Sequence, residues 1–122
     1  MIKVLVVEDN PLVSEMMCER LRRRGFEVSP APDGESALAA VGTDRPDIIL
    51  MDLGLPVMDG REASTRLKAD PATRDIPIIA VTAWVFADGD AEMAGAPWDD
   101  FEAKPADFGR LVDKIHHWTR RA

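Results

Sequence analysis

The sequence predicts an α/β fold, an open parallel sheet with helices on both faces. Three observations carry that reading. Short apolar, β-branched-rich runs alternate with helix-periodic segments about five times along the 122 residues, which is the pattern of repeated strand–helix units. The runs are continuous rather than alternating, as in "KVLVV" and "IPIIAVTA", and that suits strands covered on both sides. Cap and turn residues, among them Asn10 with Pro11 and Gly25, punctuate the transitions.

The elements follow in order. "KVLVV" (3 to 7) is the first strand. Asn10 then supplies an N-cap and Pro11 suits the first helical position. Leu12, Val13, Met16, Met17 and Leu21 recur at helical spacing, which makes Met16 and Met17 expected core fillers, as is Met51. Gly25 stops this helix after "RLRRR", whose cations complement the dipole. "FEVSPA" is a weaker second strand, and "DGESALAAV" a short helix. "PDIILMD" (46 to 52) is the third strand, and "LGLPVMDG" a loop in which Asp59 reads as an N-cap or turn residue. A helix runs from about Arg61 to Lys68 and is closed by "ADPATRD". "IPIIAVTA" (76 to 83) is the fourth strand and "FEAK" (101 to 104) a short fifth. Beyond Pro105, Phe108, Leu111, Val112, Ile115 and Trp118 form the stripe of a last helix. The alternation requires a further helix between Trp84 and Asp100. Gly89, Gly95 and Pro97 weaken it there, so that helix is expected to be short or mobile.

Composition narrows the function classes. A net charge of −7 and a pI near 4.7 argue against nucleic acid as a main partner, since phosphate binding needs a basic footprint. No run approaches the ~18 apolar residues of a membrane span. The N-terminus lacks the apolar segment and cleavage site of a signal peptide, so a cytoplasmic location is expected. The single cysteine, Cys18, permits no internal disulfide and reads as a small filler. The length fits one domain, expected over residues 1–122.

In open parallel sheets function gathers at the carboxyl ends of the strands. Glu8 and Asp9 follow the first strand, Asp52 ends the third, Thr82 ends the fourth and Lys104 the fifth. Strand two ends in Pro30 and Ala31, consistent with lying outside such a cluster. Converging carboxylates repel one another unless a cation neutralises them, and oxygen ligands suit Mg²⁺. A carboxylate held by a metal can attack phosphorus and form an aspartyl phosphate. The charge developing on the phosphoryl group then needs a metal, a hydroxyl or amide donor and a cation. Glu8 and Asp9, Thr82, and Lys104 match those parts.

The pieces "VLVVEDN", "PDIILMDLGLPVMDG", "IIAVTA" and "KP" stand in an order and at separations that resemble the receiver domains of two-component response regulators, the CheY-like family, over essentially the whole chain. The resemblance implies a doubly wound, flavodoxin-like sheet of five strands in the order 2-1-3-4-5. It implies that Asp52 accepts a phosphoryl group from the phosphohistidine of a histidine kinase or histidine phosphotransferase, and that the domain catalyses its own phosphorylation and dephosphorylation. Asp9 resembles the direct Mg²⁺ ligand, Glu8 a ligand acting largely through water, and the Gly54 carbonyl a further ligand. Lys104 resembles the lysine that pairs with the acceptor, Thr82 the switch hydroxyl and Phe101 the switch aromatic. The Lys104–Pro105 bond is expected to be cis by the same resemblance. Gly54 and Trp84 occupy positions that flank the phosphoryl group and tune its lifetime. Output is expected through a downstream protein target.

Blander readings stand beside these. Asp52 alone is a turn residue, Glu8 and Asp9 alone are capping acids, and Thr82 alone is an ordinary strand residue. His116 and His117 lie on the last helix, away from every strand end, and are not assigned to the site. A haloacid-dehalogenase-type phosphatase expects a second carboxylate two residues beyond the nucleophile, where this chain has Gly54. A nucleotide- or flavin-binding module expects a glycine-rich loop after the first strand, and none is present. A degenerate receiver that binds partners without phosphorylation, and a receiver excised from a larger regulator or hybrid kinase, remain open at this stage.

Overall fold

The computed structural model describes residues 1–55, 58–82, 96–103 and 107–120. Five strands form one sheet: β1 Lys3–Val7, β2 Glu27–Ala31, β3 Ile48–Asp52, β4 Ile78–Thr82 and β5 Asp100–Ala103. All four pairings are parallel and the order is β2-β1-β3-β4-β5. Four helices lie among the described residues: α1 Pro11–Arg23, α2 Gly34–Thr43, α3 Gly60–Ala69 and α4 Phe108–Thr119. The short or mobile helix expected between Trp84 and Asp100 falls mostly outside the described residues, as do Trp84, Lys104 and the Lys104–Pro105 bond.

The period-2 geometry of a strand sends alternate residues to opposite faces, and here both faces are apolar. Leu5, Val7, Ile49, Met51, Ile78 and Ala80 join Ala37, Val41, Ala63 and Leu67 beneath α2 and α3. Val4, Val6, Ile48, Leu50, Ile79 and Val81 join Cys18, Leu21, Leu111, Val112 and Ile115 beneath α1 and α4. Each fully buried Leu or Ile contributes roughly 1.5–3 kcal/mol relative to exposure, so the sheet is a rigid mount.

Helix starts follow their capping residues. Asn10 Oδ1 accepts from the amides of Leu12 and Val13 at 3.0 and 3.2 Å, and Asp59 caps α3 through the Glu62 amide at 2.8 Å. Gly25 adopts φ of 90°, the left-handed stop expected after α1.

One expectation about α1 is corrected. Met16 is 56% exposed and Leu12 76% exposed, so neither fills the core. The buried stripe runs through Ser14, Cys18 and Leu21, with Met17 packed beside it. Met16 sits two residues before Cys18, about 200° round a helix of 3.6 residues per turn. Met51, by contrast, is fully buried. No helix among the described residues is long and apolar enough to cross a membrane.

Candidate functional site

The chain passes from β1 to β2 on one side and returns through β3 on the other, so the winding reverses between β1 and β3. That reversal opens a crevice at the carboxyl ends of the two strands. Glu8 and Asp9 leave β1 there, and Asp52 is the last residue of β3. Carboxylate oxygens from Glu8, Asp9 and Asp52 lie within 4.8 Å of one another. Glu8 and Asp52 are buried and Asp9 is exposed.

Local structure holds each group. The Glu8 amide continues the ladder to the Ala31 carbonyl at 3.0 Å, and Asn10 N lies 3.5 Å from Glu8 Oε2. The start of α1 follows at once, and its dipole favours negative charge at this end. Beyond Asp52, the Gly54 amide donates to Asp52 Oδ1 at 3.0 Å, which fixes the rotation of the carboxylate. Leu53, Leu55 and Met58 are buried in the core under α2 and α3, so the loop after Asp52 is anchored from below.

Thr82 closes β4, where the preceding Val81 pairs with Asp52 and Thr82 itself pairs with Ala103. The backbone therefore brings Thr82 to the strand end beside Asp52. Phe101 lies on β5, half-buried and packed against the same core cluster. Its carbonyl accepts from Lys114 Nζ. His116 packs against Phe26, their rings 5.3 Å apart, and takes no part in the acidic group.

Three carboxylates this close, with an all-oxygen donor set, fit a hard divalent cation of the Mg²⁺ type. Their mutual repulsion favours an added positive charge at the point where they meet.

A family profile described as the response regulator receiver domain matches residues 4–116. The chain belongs to the response regulator receiver domain family. Among its relatives, the response regulator PleD of Caulobacter vibrioides is 38% identical over 118 residues, 97% of this chain and 26% of PleD. The polar-differentiation response regulator DivK of Brucella anthropi is 33% identical over 112 residues, 92% of this chain and 91% of DivK. PleD and the next relatives are longer, and this receiver spans 26%, 49% and 50% of their lengths. Among solved structures, the receiver domain of the sensor histidine kinase PA1611 from Pseudomonas aeruginosa PAO1 superposes with a TM-score of 0.86 at 34% identity, covering 96% of both chains. That structure was determined with a magnesium ion coordinated in its active site cleft.

Two buried glycines near the loop after Asp52 escaped the sequence reading. Gly34 and Gly60 each begin a helix, α2 and α3, and both are buried. Their only signal was a glycine directly after an acidic cap, in the pairs Asp33–Gly34 and Asp59–Gly60.

Proposed function

We propose that this receiver is a phosphorylation-controlled switch whose phosphoacceptor is Asp52. The observation that carries the reading is the placement of Asp52 at the end of a fully buried strand, its carboxylate within 4.8 Å of those of Glu8 and Asp9.

In this reading the Asp52 carboxylate attacks phosphorus, the P–N bond of a donor phosphohistidine breaks, and the imidazole leaves. The donor is a histidine kinase or histidine phosphotransferase. Asp9 would hold Mg²⁺, with Glu8, Asp52 and the Gly54 carbonyl as its further ligands. Bound Mg²⁺ supplies charge neutralisation for the phosphoryl oxygens in flight. The Gly54 amide orients the acceptor. Lys104 pairs with the phosphoryl group after transfer, and Thr82 moves toward it. Phe101 turns inward behind Thr82, and that repacking changes the surface read by a downstream protein target. Self-catalysed hydrolysis of the aspartyl phosphate resets the switch. One receiver domain, a cytoplasmic setting and a protein output are part of the same proposal.

Incubation with acetyl phosphate and Mg²⁺, followed by intact mass measurement, tests it. Wild type is expected to gain one phosphoryl group and Asp52→Asn none. Absence of the adduct on wild type favours a phosphorylation-independent interaction module instead.

A further inference from the structure

Two glycines have a steric relationship to the loop after Asp52 that ligand chemistry does not explain. A Cβ built on Gly60 would lie 2.0 Å from the carbonyl oxygen of Asp52, 2.8 Å from its carbonyl carbon and 2.8 Å from Leu53 Cα. All three are main-chain atoms, so no side-chain rotation relieves the overlap. A Cβ on Gly34 would lie 2.8 Å from the Met58 carbonyl oxygen and 3.0 Å from Met58 Cγ and Sδ. Among the described glycines only Gly25 has a positive φ, so the demand at 34 and 60 is for space. Gly42 and Gly109 show the contrast: nothing lies within 4 Å of a Cβ at 42, and the nearest atom to one at 109 is Asp107 Oδ1 at 3.5 Å.

We propose that Gly60, assisted by Gly34, is a positioning residue for Asp52. The first residue of α3 seats directly on the main chain of the acceptor and sets how far its carboxylate stands from Glu8 and Asp9. Helix α3 cannot slide to make room for a methyl group. Asp59 pins its first turn through the Glu62 amide, and Ala63 and Leu67 lock it into the core at 0% and 3% exposure. The Gly60 amide also faces the Leu53 carbonyl at 3.4 Å, so the contact fastens the residue that follows the acceptor. A methyl group at 60 therefore displaces Asp52. Gly34 acts at the far end of the same loop through Met58. The proposal rests on the receiver reading of the site.

The test compares wild type with Gly60→Ala, Gly34→Ala, Gly42→Ala and Ile115→Ala. Mg²⁺ affinity is read by calorimetry on the unphosphorylated chain, adduct formation from acetyl phosphate by intact mass, and folding by circular dichroism and melting. Gly60→Ala is expected to keep its helix signal while Mg²⁺ binding weakens and phosphorylation slows at least about tenfold, since ~1 Å of misplacement can cost about 10²-fold in rate. Ile115→Ala, fully buried on the opposite face of the sheet, lowers melting through lost packing, and below its transition keeps wild-type Mg²⁺ affinity and rate. Gly42→Ala leaves both unchanged. Wild-type Mg²⁺ affinity and rate in folded Gly60→Ala overturn the positioning role. Should Gly60→Ala fail to fold, Gly34→Ala decides by the same readouts: a smaller loss in both supports the role, and wild-type values overturn it. A wild-type chain that neither binds Mg²⁺ nor forms the adduct overturns the receiver reading and the positioning role with it, a pattern distinct from failure of the variant alone.

Discussion

The amide of Gly54 donates to Oδ1 of Asp52 across 3.0 Å, so the residue two positions beyond Asp52 also orients its carboxylate. Gly54 is exposed, and a Cβ there would rest 3.7 Å from Asp52 Oδ1, an ordinary contact. A side chain at this position is tolerated by the fold and, on the proposed function, stands beside the phosphoryl group. Gly54→Leu should change stability by no more than about 0.5 kcal/mol and slow loss of the phosphoryl group by shielding it from water. Trp84→Ala, the opposite change at the second flanking position, should speed that loss. Decay of the adduct after acetyl phosphate is removed checks both, and unchanged decay in the two variants would discard the shielding role.

Asp99 fastens the approach to β5. Its Oδ2 accepts from the Ile78 amide and from Lys68 Nζ, each at 2.8 Å, while its own amide donates to the Ile78 carbonyl at 2.8 Å. Lys68 Nζ also reaches the carbonyls of Arg74 and Ile76. Ile78 is fully buried, so Asp99→Ala strands a buried donor and should cost about 1–3 kcal/mol. Asp99→Asn keeps an acceptor and should recover much of that loss. Urea unfolding of the pair checks this, and an Asp99→Ala midpoint equal to wild type would refute it.

These two sites also show what could be read in the sequence. Asp52, Glu8 and Asp9 were legible because each ends or directly follows a strand whose apolar run marks it, and topology then brings strand ends together. Asn10 and Asp59 were legible as caps because capping is local. Met16 was misplaced because helical spacing identifies a stripe but not which of two neighbouring stripes faces the sheet. The role of Asp99 is a long-range hydrogen bond, and composition around it said only that a helix there would be poor. Gly60 stood in the sequence only as the last residue of the loop "LGLPVMDG". Its steric role depends on a chain that returns to touch Asp52 eight residues later, and only tertiary geometry reveals that. The β2-β1-β3-β4-β5 order likewise came from resemblance, since periodicity says nothing of strand neighbours.

Asp33 gives a pH-dependent contribution. It caps α2, with Oδ1 accepting from the Ser36 amide at 2.7 Å. That backbone hydrogen bond, with a second from the Ser36 side chain, holds its carboxyl below the ordinary carboxylate range. A depressed folded value means that the stabilisation is complete above the unfolded pKa of about 3.9. It drains away as pH falls through the lower folded value. Asp33→Asn keeps the capping oxygen without the ionisation. The gap in melting temperature between wild type and Asp33→Asn should be flat from about pH 7 to 5 and move against wild type below about pH 4. Parallel curves down to about pH 2 would rule out the linkage.

Lys114 meets the one residue of β5 that buries a full charge. Glu102 is 4% exposed. Its Oε1 lies 3.0 Å from Lys114 Nζ, at ion-pair distance though not aligned as a hydrogen bond, and its Oε2 lies 3.4 Å from Arg110 Nη1. Arg110 is largely in solvent and screens poorly for a buried group, so Lys114 is the partner that matters. The same ammonium lies 3.5 Å from Asp100 Oδ1 and 5.8 Å from the Phe101 ring centroid, and donates to the Phe101 carbonyl. Lys114→Met keeps the aliphatic stem and removes the charge, leaving the Glu102 carboxylate buried with only the solvent-exposed Arg110 as a cation partner. Breaking a buried pair in this way should cost about 3–5 kcal/mol. Lys114→Met with Glu102→Gln removes both charges and should be clearly more stable than the single Lys114→Met variant. A double-mutant cycle in urea measures the coupling directly. A single-variant cost below about 1 kcal/mol would place the pair with ordinary solvated surface bridges, and would mean that Phe101 is held by strand pairing and packing rather than by Lys114.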